Sequence, residues 1–359
     1  MRDRLGTIQH LRGIACLMVA IAHCLIHVAV LEGRGDADGR HRAVMDGTSA
    51  IFFFVISGFI MVHVSGRYGT LSGAWQFLTR RFLRIAPLYY LCTFAMVVLV
   101  AVDRGLAAVN FADLFLSLAF IPYAMGEHRF AAFLIVGWTL SYEMFYYVLF
   151  AIALLMAKPK AIVFLVCAFC GLVLAGAIFQ PQASAPAAWT SPVILLFLAG
   201  CMIGYAWKHY RAHWPVLSPR LGYSLITLIL VAQVVAFNLG ASDGLSHIEF
   251  RPFDWVPALL TVMIAVSTRE VSRETLATRT LAALGDSSYS LYLSHPLTII
   301  AVMVFWNRLP FEPPAWVFAV ISIPAVIVGG WVVYVLAERP LVKLLLSKPK
   351  AHAPLALPA

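Results

Sequence analysis

The chain has 359 residues, of which 62% are hydrophobic and only 12% charged, with a mean hydropathy of +0.86. A soluble domain averages about a quarter charged and under half apolar, so this composition excludes a soluble protein and indicates a polytopic membrane protein. The net charge of +9 would also suit a nucleic-acid binder, but a one-sided placement of Lys and Arg across a membrane accounts for it better.

Segments long enough to cross about 30 Å of hydrocarbon lie at 8–31, 44–64, 82–102, 137–157, 161–179, 190–207, 221–239, 254–268, 288–307 and 314–337. They predict an all-α bundle of about ten transmembrane helices. The first segment exceeds the apolar stretch of a cleaved signal peptide and no small-residue cleavage site follows it, so it is expected to stay as a span. It carries Arg12 and His23. Eleven residues at about 100° each come to three turns plus roughly 20°, which puts both on one helical face about 16 Å apart along the axis. Ionisable groups inside a span cost about 2.5–3.5 kcal/mol on insertion scales and need a reason. Snorkelling serves for Arg12, and a hydrogen bond to a neighbouring helix or a chemical role serves for His23. His27 follows at zinc-ligand spacing from His23, but no third ligand or HExxH glutamate accompanies it, so no metal is expected.

In the second span Ser57-Gly58 permits close approach of another backbone, and no GxSxG elbow marks Ser57 as a nucleophile. His63, near the cytoplasmic end of that span, reads as structural. The third span opens with Arg80-Arg81-Phe82-Leu83-Arg84. Arg81 and Arg84 stand at i and i+3 on one face running into the membrane. They are either topology determinants or a guanidinium cluster for a phosphorylated ligand.

Between the third and fourth spans, Phe111 to Tyr123 is only about 13 residues long and meets Pro122, so it reads as a partial or re-entrant helix. The fourth span places Glu143 about 8 Å below the outer surface, a depth similar to that of His23, about 12 Å below it. A carboxylate at that depth can orient a histidine, or it can be a protonated acid bonded to tyrosines. In the ninth span Tyr289, Tyr292 and His295 fall near one stripe, and Pro296 frees a backbone carbonyl beside His295. Glu338-Arg339 reads as a cap on the cytoplasmic end of the tenth.

Six cysteines, Cys16, Cys24, Cys92, Cys167, Cys170 and Cys201, all fall in apolar segments. Disulfides are not expected, and Cys167-x-x-Cys170 reads as small packing residues. With ten spans and a cytoplasmic N-terminus, Arg2, Arg4, Arg12, Arg67, Arg80, Arg81, Arg84, Lys158, Lys160, Lys208, Arg211, Arg220, Arg269, Arg273, Arg279, Arg339, Lys343, Lys348 and Lys350 fall inside. Arg34, Arg40, Arg42, Arg104, Arg129, Arg251 and Arg308 fall outside. A full crossing at 111–123 would swap every later loop against the positive-inside rule, so ten spans with both termini cytoplasmic is the expected topology. Residues 1–346 form one membrane domain, and 347–359 is a low-complexity tail expected to be disordered. The Pro- and Ala-rich 181–192 reads as an uncharged turn. No solenoid or inverted repeat is visible.

Several motifs then agree in order: Arg12-x10-His23, Ser57-Gly58-Phe59, Arg81-x-x-Arg84 with Pro87 and Tyr89, Trp138-Thr-Leu-Ser-x-Glu143-x-Phe-Tyr146, Ser288-Tyr289-Ser-x-Tyr292-Leu-x-His295, and Glu338-Arg-Pro340. Together they resemble the acyltransferase-3 family of integral-membrane O-acyltransferases over nearly the whole chain. Within it, the length and the lack of an appended domain look most like bacterial exopolysaccharide O-acetyltransferases of the inner membrane. The resemblance implies an acyl-CoA donor, usually acetyl-CoA, with no metal, and a sugar hydroxyl of an envelope or exported glycan as acceptor. It implies His23 as the catalytic histidine together with Glu143, which matches a recurrent family acid. Arg12, Arg81 and Arg84 would hold the donor. Ser57, Tyr289, Tyr292 and His295 stand as substrate or helix-packing candidates.

The implied partners are membrane lipid, a glycan or lipid-linked sugar, and polysaccharide-assembly proteins, with no nucleic acid. On this reading neutral His23 deprotonates the acceptor hydroxyl, or briefly carries the acyl group itself. Acylation of a small hydrophobic molecule, and a non-enzymatic glycolipid transporter or flippase, are the rival functions; the latter explains buried Arg, His and Glu equally well.

Overall fold

A computed structural model describes residues 6–33, 39–65, 68–125, 128–238, 252–271 and 275–346. The tail 347–359 and the loop charges Arg2, Arg4, Arg34, Arg67, Arg251 and Arg273 lie outside the described residues. The helices are α1 (Gly6–Leu31), α2 (Gly39–Val64), α3 (Leu71–Arg104), α4 (Phe111–Leu118), α5 (Trp138–Leu154), α6 (Lys158–Phe179) and α7 (Ser184–Trp189). They continue as α8 (Leu195–His209), α9 (Pro219–Asn238), α10 (Pro252–Ser267), α11 (Leu276–Asp286), α12 (Ser288–Trp306), α13 (Ala315–Val333) and α14 (Arg339–Leu346).

Among the described residues, seven helical segments are long and apolar enough to cross a membrane: Gly6–Leu31, Leu71–Arg104, Ile135–Leu154, Lys158–Phe179, Pro192–His209, Ser288–Trp306 and Ala315–Leu346. Three shorter apolar helices accompany them, Ala50–Val64, Pro219–Val235 and Trp255–Ser267.

The expected partial helix at 111–123 is α4, eight residues long and too short to span. It is N-capped by the Asn110 side chain, which accepts from Ala112 N and Asp113 N. Beyond it the chain forms a two-stranded antiparallel hairpin, β1 (Tyr123–Met125) with β2 (His128–Ala131), a departure from purely helical structure that the sequence reading did not include. The stretch 181–192, read as a turn, contains the short helix α7. A further difference concerns α3, which begins at Leu71 rather than near 82. Its 34 residues run about 51 Å at 1.5 Å per residue, well beyond the hydrocarbon thickness. Thr70 caps it by accepting from Gly73 N. Arg81 and Arg84 therefore lie within a continuous helix and not at its start.

Two parallel helix pairs set the frame. In the first, the Cys16 thiol donates to the Ser288 carbonyl at 3.0 Å and His23 meets His295 at 2.9 Å. Both contacts are offset by 272 residues, so α1 and α12 run in the same direction. In the second, a Cβ on Gly200 would meet Val55 O at 2.0 Å and one on Gly204 would meet Phe59 O at 3.1 Å, while Lys208 Nζ donates to Val62 O at 2.6 Å. α2 and α8 are thus also parallel and touch backbone to backbone through a small-xxx-small face. Gly58 answers from α2, where a Cβ would lie 2.1 Å from Phe197 O. The packing role read for Ser57-Gly58 is met at this interface.

The most enclosed side chains gather where α2, α5 and α8 meet: Phe54, Phe59, Tyr142, Tyr146 and Phe197 are fully buried, and Phe54–Phe197 and Tyr146–Phe197 ring centroids lie 4.7 and 4.6 Å apart. The six cysteines are free thiols. Cys167 and Cys170 are exposed on α6, which corrects the reading of them as packing residues.

Candidate active site

Five helices converge on a cavity of about 280 Å³. α1 contributes Arg12, α2 contributes Ser57, α3 contributes Arg81 and Arg84, α5 contributes Glu143 and Tyr147, and α12 closes it with Tyr289 and Tyr292. Phe53, Phe54, Ile60 and Met61 supply its apolar wall. Three guanidiniums against one carboxylate make the lining net positive, and a site of this kind favours an anionic group attached to a narrow apolar or amide arm.

Each charge is held by its neighbours. The Arg12 guanidinium donates from Nη1 to Gln9 Oε1 at 3.2 Å, and Gln9 Nε2 in turn donates to Asp286 Oδ1 at 2.8 Å. That relay requires Gly285, where a Cβ would sit 2.2 Å from the Gln9 carbonyl. Arg12 is within electrostatic reach of Arg84, Glu143, Glu338 and Tyr147. The Arg81 guanidinium lies 5.8 Å from the Phe77 ring centroid and 6.0 Å from that of Tyr147. Glu143 Oε1 accepts from Ser57 Oγ at 2.9 Å and from the Tyr147 hydroxyl. Tyr289 OH donates to the Ile85 carbonyl at 2.7 Å, tying α12 to α3.

Glu338 is the residue that the sequence reading missed. Taken as a cap, it is buried at 3% exposure. Its Oε2 accepts from Ser290 N at 3.2 Å and Ser290 Oγ at 2.5 Å, and its Oε1 lies 3.8 Å from Arg84 Nη2. A π-helical turn, Tyr334–Glu338, turns the carboxylate inward between α13 and α14; such bulges frequently mark functional sites. The signal in the sequence was a carboxylate directly after an apolar run, ahead of Pro340. Tyr147 was equally accessible, standing at i+4 from Glu143.

His23 and His295 form a second centre. Their rings stack with centroids 5.0 Å apart, and His23 Nδ1 is 2.9 Å from His295 Nε2. Among the described residues, neither lines the cavity. Tyr292 stands between the two centres. Its hydroxyl is 2.8 Å from Thr139 Oγ1, the Val136 carbonyl is 3.1 Å from both oxygens, and its ring lies 6.1 Å from that of His295. The expected pairing of His23 with Glu143 at equal depth is corrected here. The structure places Glu143 with Ser57 and Tyr147 in the Arg12 cavity, and it brings His295 to hydrogen-bonding distance of His23. The 3-10 turn Ile135–Gly137 ahead of α5 shifts the helix start, and depth counted from sequence does not say which helices adjoin. His27 bonds through Nδ1 to the His23 carbonyl at 2.9 Å, a local helix contact. His63 stacks on Phe59 at 6.1 Å, in keeping with its structural reading.

Residues 5–335 match the model of an acyltransferase domain, Acyl_transf_3. The chain belongs to the acyltransferase-3 family. A curated relative, the exopolysaccharide production protein ExoZ of Rhizobium meliloti (strain 1021), is 31% identical over 313 residues, covering 84% of this chain and 92% of the relative. No solved structure matches the chain significantly. The family's membrane-embedded acyltransferase character agrees with the multi-pass helical architecture, and the rival reading as a non-enzymatic transporter gives way to it.

Proposed function

We propose that this protein transfers an acyl group, acetyl in the first instance, from cytoplasmic acyl-CoA to a hydroxyl of an exopolysaccharide sugar at the bacterial inner membrane. The membrane domain crosses ten times with both termini in the cytoplasm: the seven long and three shorter apolar helices supply the crossings. The parallel pairs α1–α12 and α2–α8 have the parity this topology requires, first with ninth and second with sixth. The relative's role in exopolysaccharide production supports a glycan acceptor, with lipid, a lipid-linked sugar and assembly proteins as partners.

The observation that carries the reading is the bipolar arrangement along α1, with a cationic cavity at Arg12 and a histidine pair about 16 Å further along the same helix face, bridged by Tyr292. Arg81 and Arg84, with Arg12, bind the donor's phosphates. The cavity, at about 280 Å³, lies at the lower end of ligand-site volumes and accommodates the arm of the donor rather than its nucleotide. His23 takes the proton of the acceptor hydroxyl as the oxygen attacks the thioester carbonyl. The C–S bond breaks, the new ester C–O bond remains, and the proton passes from His23 to the departing thiolate. Glu143 holds Ser57 and Tyr147 in place along the donor path.

The test is mass spectrometry of envelope polysaccharide from a deletion strain complemented with wild type or His23→Ala. An acyl substituent should vanish in the deletion and return only with wild type. Full restoration by His23→Ala would overturn the assignment of the base.

A further inference from the structure

His295 was expected to be a substrate or packing residue, and its hydrogen bonds assign it something more specific. Its Nδ1 lies 3.1 Å from the Leu291 carbonyl, and the Tyr292 carbonyl is within hydrogen-bonding reach of the same ring. The second carbonyl is available for a reason written in the sequence. Pro296 has no N–H, so the carbonyl four residues earlier, that of Tyr292, loses its helical partner. A carbonyl oxygen only accepts. Nδ1 of His295 is therefore the N–H of the ring, and in neutral His295 the lone pair is left on Nε2. That Nε2 is 2.9 Å from His23 Nδ1, which must then be the donor. In neutral His23 the lone pair then stands on Nε2.

We propose that His295 is a positioning residue, whose Nε2 accepts the Nδ1 proton of His23 and so fixes His23 in the tautomer whose Nε2 deprotonates the acceptor hydroxyl. The geometry is rigid. His295 is fully buried at 0% exposure, and the parallel register of α1 and α12 is held independently by Cys16 on the Ser288 carbonyl. A histidine in this place does the work that a carboxylate does behind many catalytic histidines: it selects the tautomer and holds the ring. Being neutral, it does so without placing an uncompensated charge in the bundle interior.

This inference rests on His23 being the base proposed above, and the experiment separates the two. Membranes carrying matched amounts of wild type, His23→Ala, His295→Leu or His295→Gln are supplied with radiolabelled acetyl-CoA. Polymer isolated from the deletion strain serves as acceptor. Leu fills the space without an acceptor, whereas the Gln amide oxygen offers one near the position of Nε2. Partners that orient metal-bound histidines are worth about 10–100-fold; by analogy His295→Leu should lower kcat by about that factor while the KM for acetyl-CoA, set in the Arg12 cavity, stays within about twofold. His295→Gln should recover most of the lost turnover. If His23→Ala is inactive but His295→Leu turns over like wild type, or Leu and Gln are equally impaired with intact melting behaviour, the positioning role is wrong and the base assignment stands. Wild-type turnover by His23→Ala would instead remove the base, and this inference with it.

Discussion

Replacing Gly200 by alanine should be strongly damaging for a single-methyl change. The new Cβ would lie 2.0 Å from the Val55 carbonyl oxygen, where real Cβ contacts essentially never fall below 3.0 Å. α2 and α8 must therefore separate locally by about 1 Å, and a gap of that size forfeits a quarter to a half of the dispersion attraction across it. Overpacking of this kind costs about 1–3 kcal/mol, and the gain of about 1 kcal/mol from removing a helical glycine offsets only part of the upper value. We expect a net loss of about 2 kcal/mol. Two glycines calibrate the reasoning. At Gly204 the Cβ would be 3.1 Å from Phe59 O and 3.2 Å from Val62 Cβ, so the neighbours need to move only a few tenths of an ångström. At Gly171 it would meet nothing within 4 Å. Detergent-solubilised protein heated in steps and assayed for remaining monodisperse material should rank Gly171→Ala at or above wild type, Gly204→Ala close to it and Gly200→Ala clearly below. Activity should fall in the same order, because α2 carries Ser57 to Glu143. If Gly200→Ala melts with Gly171→Ala, the backbone contact between α2 and α8 does not exist as described.

Other expectations follow from the site. Arg81→Met should raise the KM for acetyl-CoA by about 10–100-fold, the equivalent of losing one charge-assisted bond of about 1.5–3 kcal/mol, with kcat nearly unchanged; an unaltered KM would refute phosphate binding there. Glu338→Ala should destabilise the protein by at most about 3 kcal/mol, the low end for a broken buried pair, since Arg84 is 37% exposed. Glu338→Gln should lose less, because Ser290 keeps a partner, and thermal melting of the two variants side by side decides this. Pro296→Ala returns an N–H to the Tyr292 carbonyl and should reduce turnover severalfold without moving the KM for the donor. Tyr292→Phe removes the contacts to Thr139 and Val136 and should cost about 0.5–1.5 kcal/mol in melting experiments.

Much of this was legible in the residues, for identifiable reasons. Long apolar runs have few ways to fold, so most helices emerged with boundaries close to those observed; the exceptions were α3, whose polar first turns hide a helix that continues inward, the last segment, which is helical to Leu346, and the hairpin after α4. Periodicity within one helix was a better guide: Arg81 and Arg84, and Tyr289 and Tyr292, line the same cavity, as their spacing on one face suggests. What failed was anything between helices. Equal depth suggested Glu143 behind His23, but depth says nothing about which helices adjoin, and α12 supplies His295 instead. Glu338 was misjudged because proximity to a charged tail looked like an end. A π-turn, invisible in the residue pattern, carries it inward.

The 272-residue offset between the helices that form the histidine pair also bears on synthesis. At about 5–20 residues per second, His23 enters the membrane some 15–55 s before its partner is translated. Ser57 and Glu143, only 86 positions apart, come together far earlier. The Arg12 cavity therefore takes partial form on the nascent chain, while the histidine centre is completed only when the C-terminal helices arrive. A chain stopped short of α12 would lack the histidine centre altogether.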